Sequence, residues 1–244
     1  MAALILLVIT FKSLNKPLIQ KLKTIKLSLI LVGFFNIVGS LFSLYSIKFL
    51  GGASAAIIIQ FTVLFALLFG FLFFKEIPRK TQWVGITLVL IGALIINLDK
   101  EIFLSLGLAL GVLGTLFYSL AFLFARKATL KANPVIVNFV RASLMGFFAL
   151  LIILLLGVEF VLPNLNELSL IVVGCTSSAV IGTILFYKGL TKIKFAYANA
   201  LKINEASFAV VYALIFAIGI PSLIVIAGGI IVIAGSIIIA LEKK

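Results

Sequence analysis

The sequence predicts an all-α protein, a polytopic bundle of transmembrane helices arranged as an inverted repeat. Its composition is the first reason: apolar residues make up 64% of the chain and the mean hydropathy is +1.38, whereas soluble domains contain about 45–50% apolar residues. Internal similarity is the second reason, since residues 27–33 read LSLILVG and residues 168–174 read LSLIVVG. So apolar a chain is expected in a lipid bilayer.

Eight apolar segments are long enough to cross a bilayer, since a spanning helix needs roughly twenty residues. Lipid offers no hydrogen-bond partner to the backbone, so a spanning segment is either a helix or a strand of a closed barrel. Unbroken apolar runs favour helices over barrel strands, in which apolar and polar residues alternate. The predicted full spans are residues 27–47, 53–74, 81–98, 103–125, 134–157, 168–187, 195–218 and 221–241.

Residues 1–10 are also apolar, but they form only a half-span. At the rise of an α-helix they cover about 15 Å of a hydrocarbon core that is roughly 30 Å thick. When the two halves are aligned, Met1 falls near Ala142, and residues 103–142 have no upstream counterpart. We therefore expect an intact architecture of ten helices, five plus five. The alternative is a natural variant that has a half-span.

The repeat predicts two modules, residues 1–98 and residues 103–241. The offset between matching positions grows only from 141 to 143 residues along the repeat. Tyr45 matches Tyr187, and near the ends of the modules Gly92 matches Gly235. A repeat of this length indicates two copies of one membrane module rather than a short solenoid period.

The net charge of +13 at pH 7 is explained by membrane topology. Sixteen lysines and arginines lie in alternate loops, at residues 12–26, 75–80, 126–131, 188–194 and the C-terminus. By the positive-inside rule these loops are cytoplasmic, so we expect a multi-pass protein of the cell membrane with no nucleic-acid partner. The same rule gives the two modules opposite orientations. Inverted repeats are typical of secondary transporters, which bind substrate near the bilayer midplane.

Short motifs in both modules resemble those of the EamA family of the drug/metabolite transporter superfamily. Residues 137–142, VNFVRA, are similar to an arginine-containing stretch of the family's second helix, and residues 74–78, FKEIP, resemble the end of its fourth helix. The second module departs from the motif at Gly219, where the family has glutamate, and Thr62 lies in the region where the family favours a proline. The resemblance implies a transporter of small metabolites such as amino acids, and leaves the substrate open.

Three charged residues lie deep within predicted spans, where each charge costs on the order of 2.5–3.5 kcal/mol. Lys202 and Glu205 are three residues apart and share a helix face. They either neutralise each other as a structural pair or face a cavity, where they meet substrate and Glu205 exchanges a proton. Arg141 lies about two turns inside its span. It either contacts substrate or extends toward the cytoplasmic headgroups.

Uncharged polar residues complete the predicted substrate-binding set. Asn199 and Asn204 flank the charged pair, while Gln60 and Asn36 lie within other spans. Each of them either lines the cavity or makes an interhelical hydrogen bond. Tyr187 either stacks on substrate or belongs to the aromatic belt at the membrane interface. The predicted set is Glu205, Lys202, Asn204, Asn199, Gln60, Asn36 and Arg141.

Glycines spaced for close helix packing occur in both modules, and Gly85 and Gly92 match Gly228 and Gly235. A missing side chain lets helices approach closely. Three interpretations remain open: packing within a module, an interface at which helices rock, and the face of a homodimer.

The chemistry that the sequence lacks argues against an enzyme. The chain contains no histidine and one cysteine, and it has no acidic cluster within a span and no nucleotide-binding loop. We therefore expect no catalytic residue, no metal and no cofactor. The predicted function is secondary transport of a small-molecule substrate by alternating access. The alternative is a non-transporting membrane protein, either an enzyme acting on lipid-linked substrates or a packing subunit.

Overall fold

The computed structural model describes residues 1–10, 24–59, 61–77, 79–96, 106–157, 163–200, 215 and 222–241. These residues are almost entirely helical and include no strand, which confirms the predicted all-α class. The helices are α1 (Ala2–Thr10), α2 (Lys26–Leu50), α3 (Gly52–Ile59), α4 (Thr62–Phe74), α5 (Lys80–Ile96), α6 (Leu106–Thr129), α7 (Pro134–Leu156), α8 (Leu165–Gly174), a π-helical segment (Cys175–Gly182), α9 (Thr183–Lys192), α10 (Phe195–Ala200) and α11 (Leu223–Leu241).

Four helices in the described part of the chain are long and apolar enough to cross a membrane. Two of them are α2 and α6. The third is Pro134–Leu155 within α7, and the fourth is Leu165–Lys192, which runs through α8, the π segment and α9 without a break. The predicted half-span at the N-terminus forms α1. These long apolar helices are those of a multi-pass membrane protein. Most of the predicted span at 195–218 lies outside the described residues.

Polar residues at the ends of these helices explain where they begin. The Asn133 side chain accepts a hydrogen bond from the backbone N–H of Val135, and Pro134 occupies the first turn, where no N–H is required. Asn164 and Glu167 form a reciprocal capping box at the start of α8. Both caps lie at ends of predicted spans, where the helix leaves four N–H groups without an intrahelical partner.

The predicted span at 53–74 is divided into α3 and α4. The Phe61 N–H donates to the Ile58 carbonyl, 3.0 Å away and only three residues earlier, and the Thr62 hydroxyl donates to the Ile59 carbonyl. Such short-range bonds tighten the chain and compete with the regular α-helical ladder. These bonds give a local reason for the division of this segment into α3 and α4.

The chain forms two compact units, and α2 and α6 contribute residues to both. The first unit contains residues 1–37 and 120–192. In it, α1 packs against α7 and the π segment. Leu6 of α1 is fully buried in an apolar cluster with Ala142 of α7 and Val180 of the π segment. This cluster holds α7 beside the π segment.

The second unit contains residues 38–119 and 193–244, and in it α5 packs closely against α11. A Cβ atom placed on Gly92 would lie 2.6 Å from the Gly228 carbonyl oxygen, and one placed on Gly235 would lie 2.6 Å from the Gly85 carbonyl oxygen. Only glycine permits so close an approach. The glycines that match across the repeat therefore pack against each other within the chain.

Small residues also bring α2 and α6 together in the second unit. A Cβ atom on Gly111 would lie 2.8 Å from Ser46 Oγ, and one on Gly114 would lie 2.7 Å from Ser43 Oγ. One turn beyond Gly114, the Tyr118 hydroxyl donates a hydrogen bond of 3.1 Å to Ser40 Oγ. Backbone proximity and an interhelical hydrogen bond together replace the hydrophobic driving force that lipid cannot supply.

Candidate functional site

Arg141 lies in α7 within the first unit and is only 8% exposed. Its guanidinium donates three hydrogen bonds: Nε to Asn138 Oδ1 at 2.9 Å, Nη1 to the Met145 sulfur at 3.2 Å, and Nη2 to the Ala179 carbonyl at 3.4 Å. Asn138 and Met145 are three and four residues from Arg141, so all three share one face of α7. The side chain is largely enclosed by protein groups.

Asn138 joins α7 to the π segment. It is completely buried, and its Nδ2 donates to the Ala179 carbonyl at 2.9 Å, with a longer contact of 3.5 Å to the Val180 carbonyl. Since its Oδ1 accepts from Arg141, the amide has a partner at both ends. Asn138 thereby holds the guanidinium against the same backbone carbonyl that Asn138 itself binds.

The π segment explains why the Ala179 carbonyl accepts side-chain donors. In an α-helix the N–H of Thr183 would bond to Ala179, but here it bonds to the carbonyls of Ser178 and Val180. The Thr183 hydroxyl also donates to the Ser178 carbonyl, at 3.2 Å. Such wide turns occur often at functional sites. Here the wide turn takes the α-helical donor, the Thr183 N–H, away from the Ala179 carbonyl, which accepts from Asn138 and Arg141.

Hydroxyl groups at the start of the π segment also bond to the preceding turn. Thr176 Oγ1 donates to the Val172 carbonyl at 2.7 Å, and Ser177 Oγ donates to the Val173 carbonyl at 2.8 Å. Such bonds disturb the regular backbone ladder of a helix. They give a local reason for the altered hydrogen bonding that follows.

The three groups that accept hydrogen bonds from Arg141 are neutral. Within the part of the chain that the structure describes, no carboxylate pairs with its guanidinium. Tyr187 lies in α9, which packs against α7, the helix of Arg141. The Tyr187 hydroxyl is fully buried and has no hydrogen-bond partner among the described residues. We call Asn138, Arg141, the Ala179 carbonyl and Tyr187 the arginine cluster.

The remaining predicted site residues have different positions. Asn36 is buried in α2 of the first unit, and its Nδ2 donates to the Val32 carbonyl of its own helix, at 2.9 Å. Asn199 lies in α10 of the second unit, where its Nδ2 donates to the Phe195 carbonyl at 2.8 Å. Its buried Oδ1 has no hydrogen-bond partner in the described ranges. Gln60, Lys202, Asn204 and Glu205 lie outside the described residues.

The predicted site omitted Asn138 and left the role of Tyr187 open. The spacing of three residues between Asn138 and Arg141 is a signal that places both on one helix face. The hydroxyl-rich sequence CTSSAVIG at 175–182 is a second signal, because hydroxyl groups compete for backbone partners. Neither signal reveals that α7 and the π segment meet.

Glu76 belongs to the second unit, where it has a structural role at the end of α4 and the start of α10. Both of its carboxylate oxygens accept from the Phe195 N–H, at 3.0 and 3.2 Å, and so cap the start of α10. Lys75 adopts a left-handed conformation with φ 53° at the end of α4, which directs the Glu76 N–H back to the Gly70 carbonyl at 3.0 Å. The motif FKEIP thus connects a turn of the first predicted module to a helix of the second.

Candidate metal ligands do not cluster in the described residues: histidine, cysteine, aspartate and glutamate form no group of three or more. Cys175 is a free, partly exposed thiol at the start of the π segment.

Comparison with known proteins gives two findings. Residues 1–98 and 105–241 both match the EamA-like transporter family. The chain is also 26% identical over 173 residues to an "Uncharacterized transporter" of Methanothermobacter thermautotrophicus, an alignment that covers 66% of this chain and 49% of that protein. The aligned region is thus about half of the relative's length.

Proposed function

Because the chain belongs to the EamA-like transporter family, we propose that it is a secondary transporter that moves small polar or amphipathic metabolites, such as amino acids, by alternating access. The observation that carries the proposal is the match of both halves of the chain to that family. The proposed location is the cell membrane, with a cytoplasmic C-terminus, as the distribution of lysine and arginine indicates.

The proposed architecture is an inverted repeat of modules 1–98 and 103–241, with eight full spans and the N-terminal half-span. The contacts between α5 and α11 support it. Gly228 matches Gly85 and Gly235 matches Gly92 in the repeat, at an offset of 143 residues. The contact of Gly92 with Gly228 then corresponds to that of Gly235 with Gly85. Reciprocal contacts of this kind are the signature of a two-fold relation between matching surfaces.

The residues proposed to contact substrate are the predicted polar residues and, within the first unit, the arginine cluster. Arg141 has the strongest structural support, because it is a buried charge without an acidic partner in the described part of the chain. Asn36 and Asn199 are buried polar residues of the two units. Lys202, Glu205, Asn204 and Gln60 enter the proposal on their sequence positions.

The proposal is tested by flux in proteoliposomes that contain the purified chain. We expect counterflow of at least one labelled amino acid or related metabolite, above that of protein-free liposomes. Because an ion gradient drives secondary transport, flux is measured with and without a proton or sodium gradient. If a well-folded protein moves no member of a broad metabolite panel, the proposal is contradicted and the non-transporting alternative is favoured.

A further inference from the structure

We propose that Arg141 and Tyr187 bind a carboxylate group of the transported molecule. This inference rests on the proposed transport function and names the chemical class of its substrate. It follows from three features of the arginine cluster. The cluster has a buried cation with no acidic partner among the described residues, it has hydrogen-bond donors that a carboxylate could use, and its charge of one cation matches a monoanion.

The first feature is an uncompensated charge. Arg141 is 8% exposed, and all three of its hydrogen-bond acceptors are neutral: an amide oxygen, a thioether sulfur and a backbone carbonyl. A buried cation is costly unless an anion accompanies it. Within the described ranges no acidic side chain pairs with Arg141, so a bound anion would supply the missing charge.

The second feature is the set of N–H donors of Arg141. A carboxylate would accept stronger hydrogen bonds from them than the present acceptors do. A guanidinium has more N–H groups than its three hydrogen bonds occupy. The thioether of Met145 is a weak acceptor, and the Nη2 bond to Ala179 is long, at 3.4 Å. A carboxylate that replaced both would accept two parallel, charge-assisted hydrogen bonds.

The buried Tyr187 hydroxyl adds an independent donor. It has no hydrogen-bond partner among the described residues, although a buried hydroxyl normally finds one. Because α9 packs against α7, this hydroxyl is a buried neutral donor on the helix next to that of Arg141. An anionic oxygen bound at Arg141 would give this hydroxyl an acceptor.

The charge of the cluster favours a carboxylate over a phosphate. Arg141 is its one cation among the residues that the structure describes, and Asn138 and Tyr187 are neutral donors. One guanidinium balances a monoanion, and its planar fork matches the two oxygens of a carboxylate. A dianionic phosphate group would retain an uncompensated buried charge.

The test uses the purified chain in neutral detergent without anionic lipid, so that no lipid headgroup competes. The probes are L-amino acids and short monocarboxylates, each paired with its primary amide, which has the same shape but no negative charge. We expect at least one carboxylate to raise the melting temperature while its amide does not. We expect Arg141→Met to weaken that binding about 10- to 100-fold and Tyr187→Phe about 2- to 10-fold.

Two further variants separate binding from folding. Asn138→Asp places a carboxylate next to the guanidinium and gives up the Nδ2 bond to the Ala179 carbonyl, so the folded variant should supply the counter-charge internally and weaken binding of the probe. Lys127→Met removes one cation from the same unit, at the end of α6, where its ammonium lies 5.3 Å from the Phe124 ring centre. It should leave binding unchanged.

The outcomes distinguish this inference from the transport proposal. The inference is overturned if no carboxylate stabilises the protein, if acid and amide act equally, or if folded Asn138→Asp and Tyr187→Phe proteins bind like the wild type. Carboxylate binding that depends on Arg141, without flux in proteoliposomes, would support the anion site and contradict transport. Flux of amides alone would support transport and contradict the anion site.

Discussion

Arg141 shows how a charged side chain is accommodated inside an apolar helix. Asn138 and the Ala179 carbonyl satisfy part of its hydrogen-bonding capacity but contribute no negative charge. Because the cost of a buried charge is much larger than that of a buried dipole, the bonds position the guanidinium without neutralising it. A residue held in this way suits a binding role better than a purely structural one.

The charged pair Lys202 and Glu205 gives a prediction at the residue scale, made from their sequence positions. Either Lys202→Met or Glu205→Gln alone should impair folding, since breaking a buried pair costs about 3–5 kcal/mol. If the pair binds substrate, the double variant should insert and fold normally yet fail to transport. Membrane insertion and the melting temperature report whether each variant folds, and proteoliposome flux reports whether it transports. Restored flux in the double variant would assign the pair a structural role only.

At the scale of secondary-structure elements, α5 and α11 are joined by backbone proximity. Val89 of α5 and Val232 of α11 are completely buried in one apolar cluster, next to the close approach at Gly92 and Gly235. In lipid, packing density and close backbone contact replace the hydrophobic effect as the source of helix association. A side chain at either glycine would therefore separate the two helices.

Substitution of these glycines tests that packing. Gly92→Ala should destabilise the protein by about 1–3 kcal/mol, because its Cβ would meet the Gly228 backbone at 2.6 Å. Gly146→Ala is the matched control within α7, where a Cβ meets nothing within 4 Å, and it should be neutral or stabilise by up to about 1 kcal/mol. Denaturation in a detergent titration measures the change in unfolding free energy of each variant. Equal effects of the two variants would contradict the packing described for α5 and α11.

At the scale of the whole molecule, the proposed orientation rests on the basic loops and the proposed activity rests on the family relationship. Sixteen cations lie in one set of loops and two in the other. Such a bias directs insertion because positively charged loops are retained in the cytoplasm. The proposed inverted repeat follows from that bias, since matching helices then enter the membrane from opposite sides.

Cysteine labelling tests this topology. In a Cys175→Ala background, single cysteines replace Lys16, Val161 and Lys244. A membrane-impermeant maleimide added to intact cells should label only the cysteine at position 161, since the basic loop and the C-terminus are expected inside. Permeabilised cells provide the control, in which all three positions should react. Labelling of position 244 in intact cells would contradict the inverted orientation.

Local properties of the sequence were sufficient to predict the all-α class, the presence of long apolar helices and the family. Apolar length, charge between spans and capping residues such as Asn133 and Asn164 act within one segment or at its ends. Arg141 was likewise identified from its own position, because any charge inside a span is costly. Lys202, Glu205, Asn204 and Gln60 remain sequence predictions, since they lie outside the described residues.

Only the tertiary structure decided which distant groups meet. The Ala179 carbonyl is 41 residues from Asn138 and 38 from Arg141, and its availability depends on the π-helical turn. Likewise, only the structure shows that the spaced glycines of α5 contact those of α11, so that they pack between the two predicted modules and not within one of them. Hydrophobicity determines that a segment enters lipid, whereas the partner of each helix face depends on shape and hydrogen bonding between segments that are far apart in the chain.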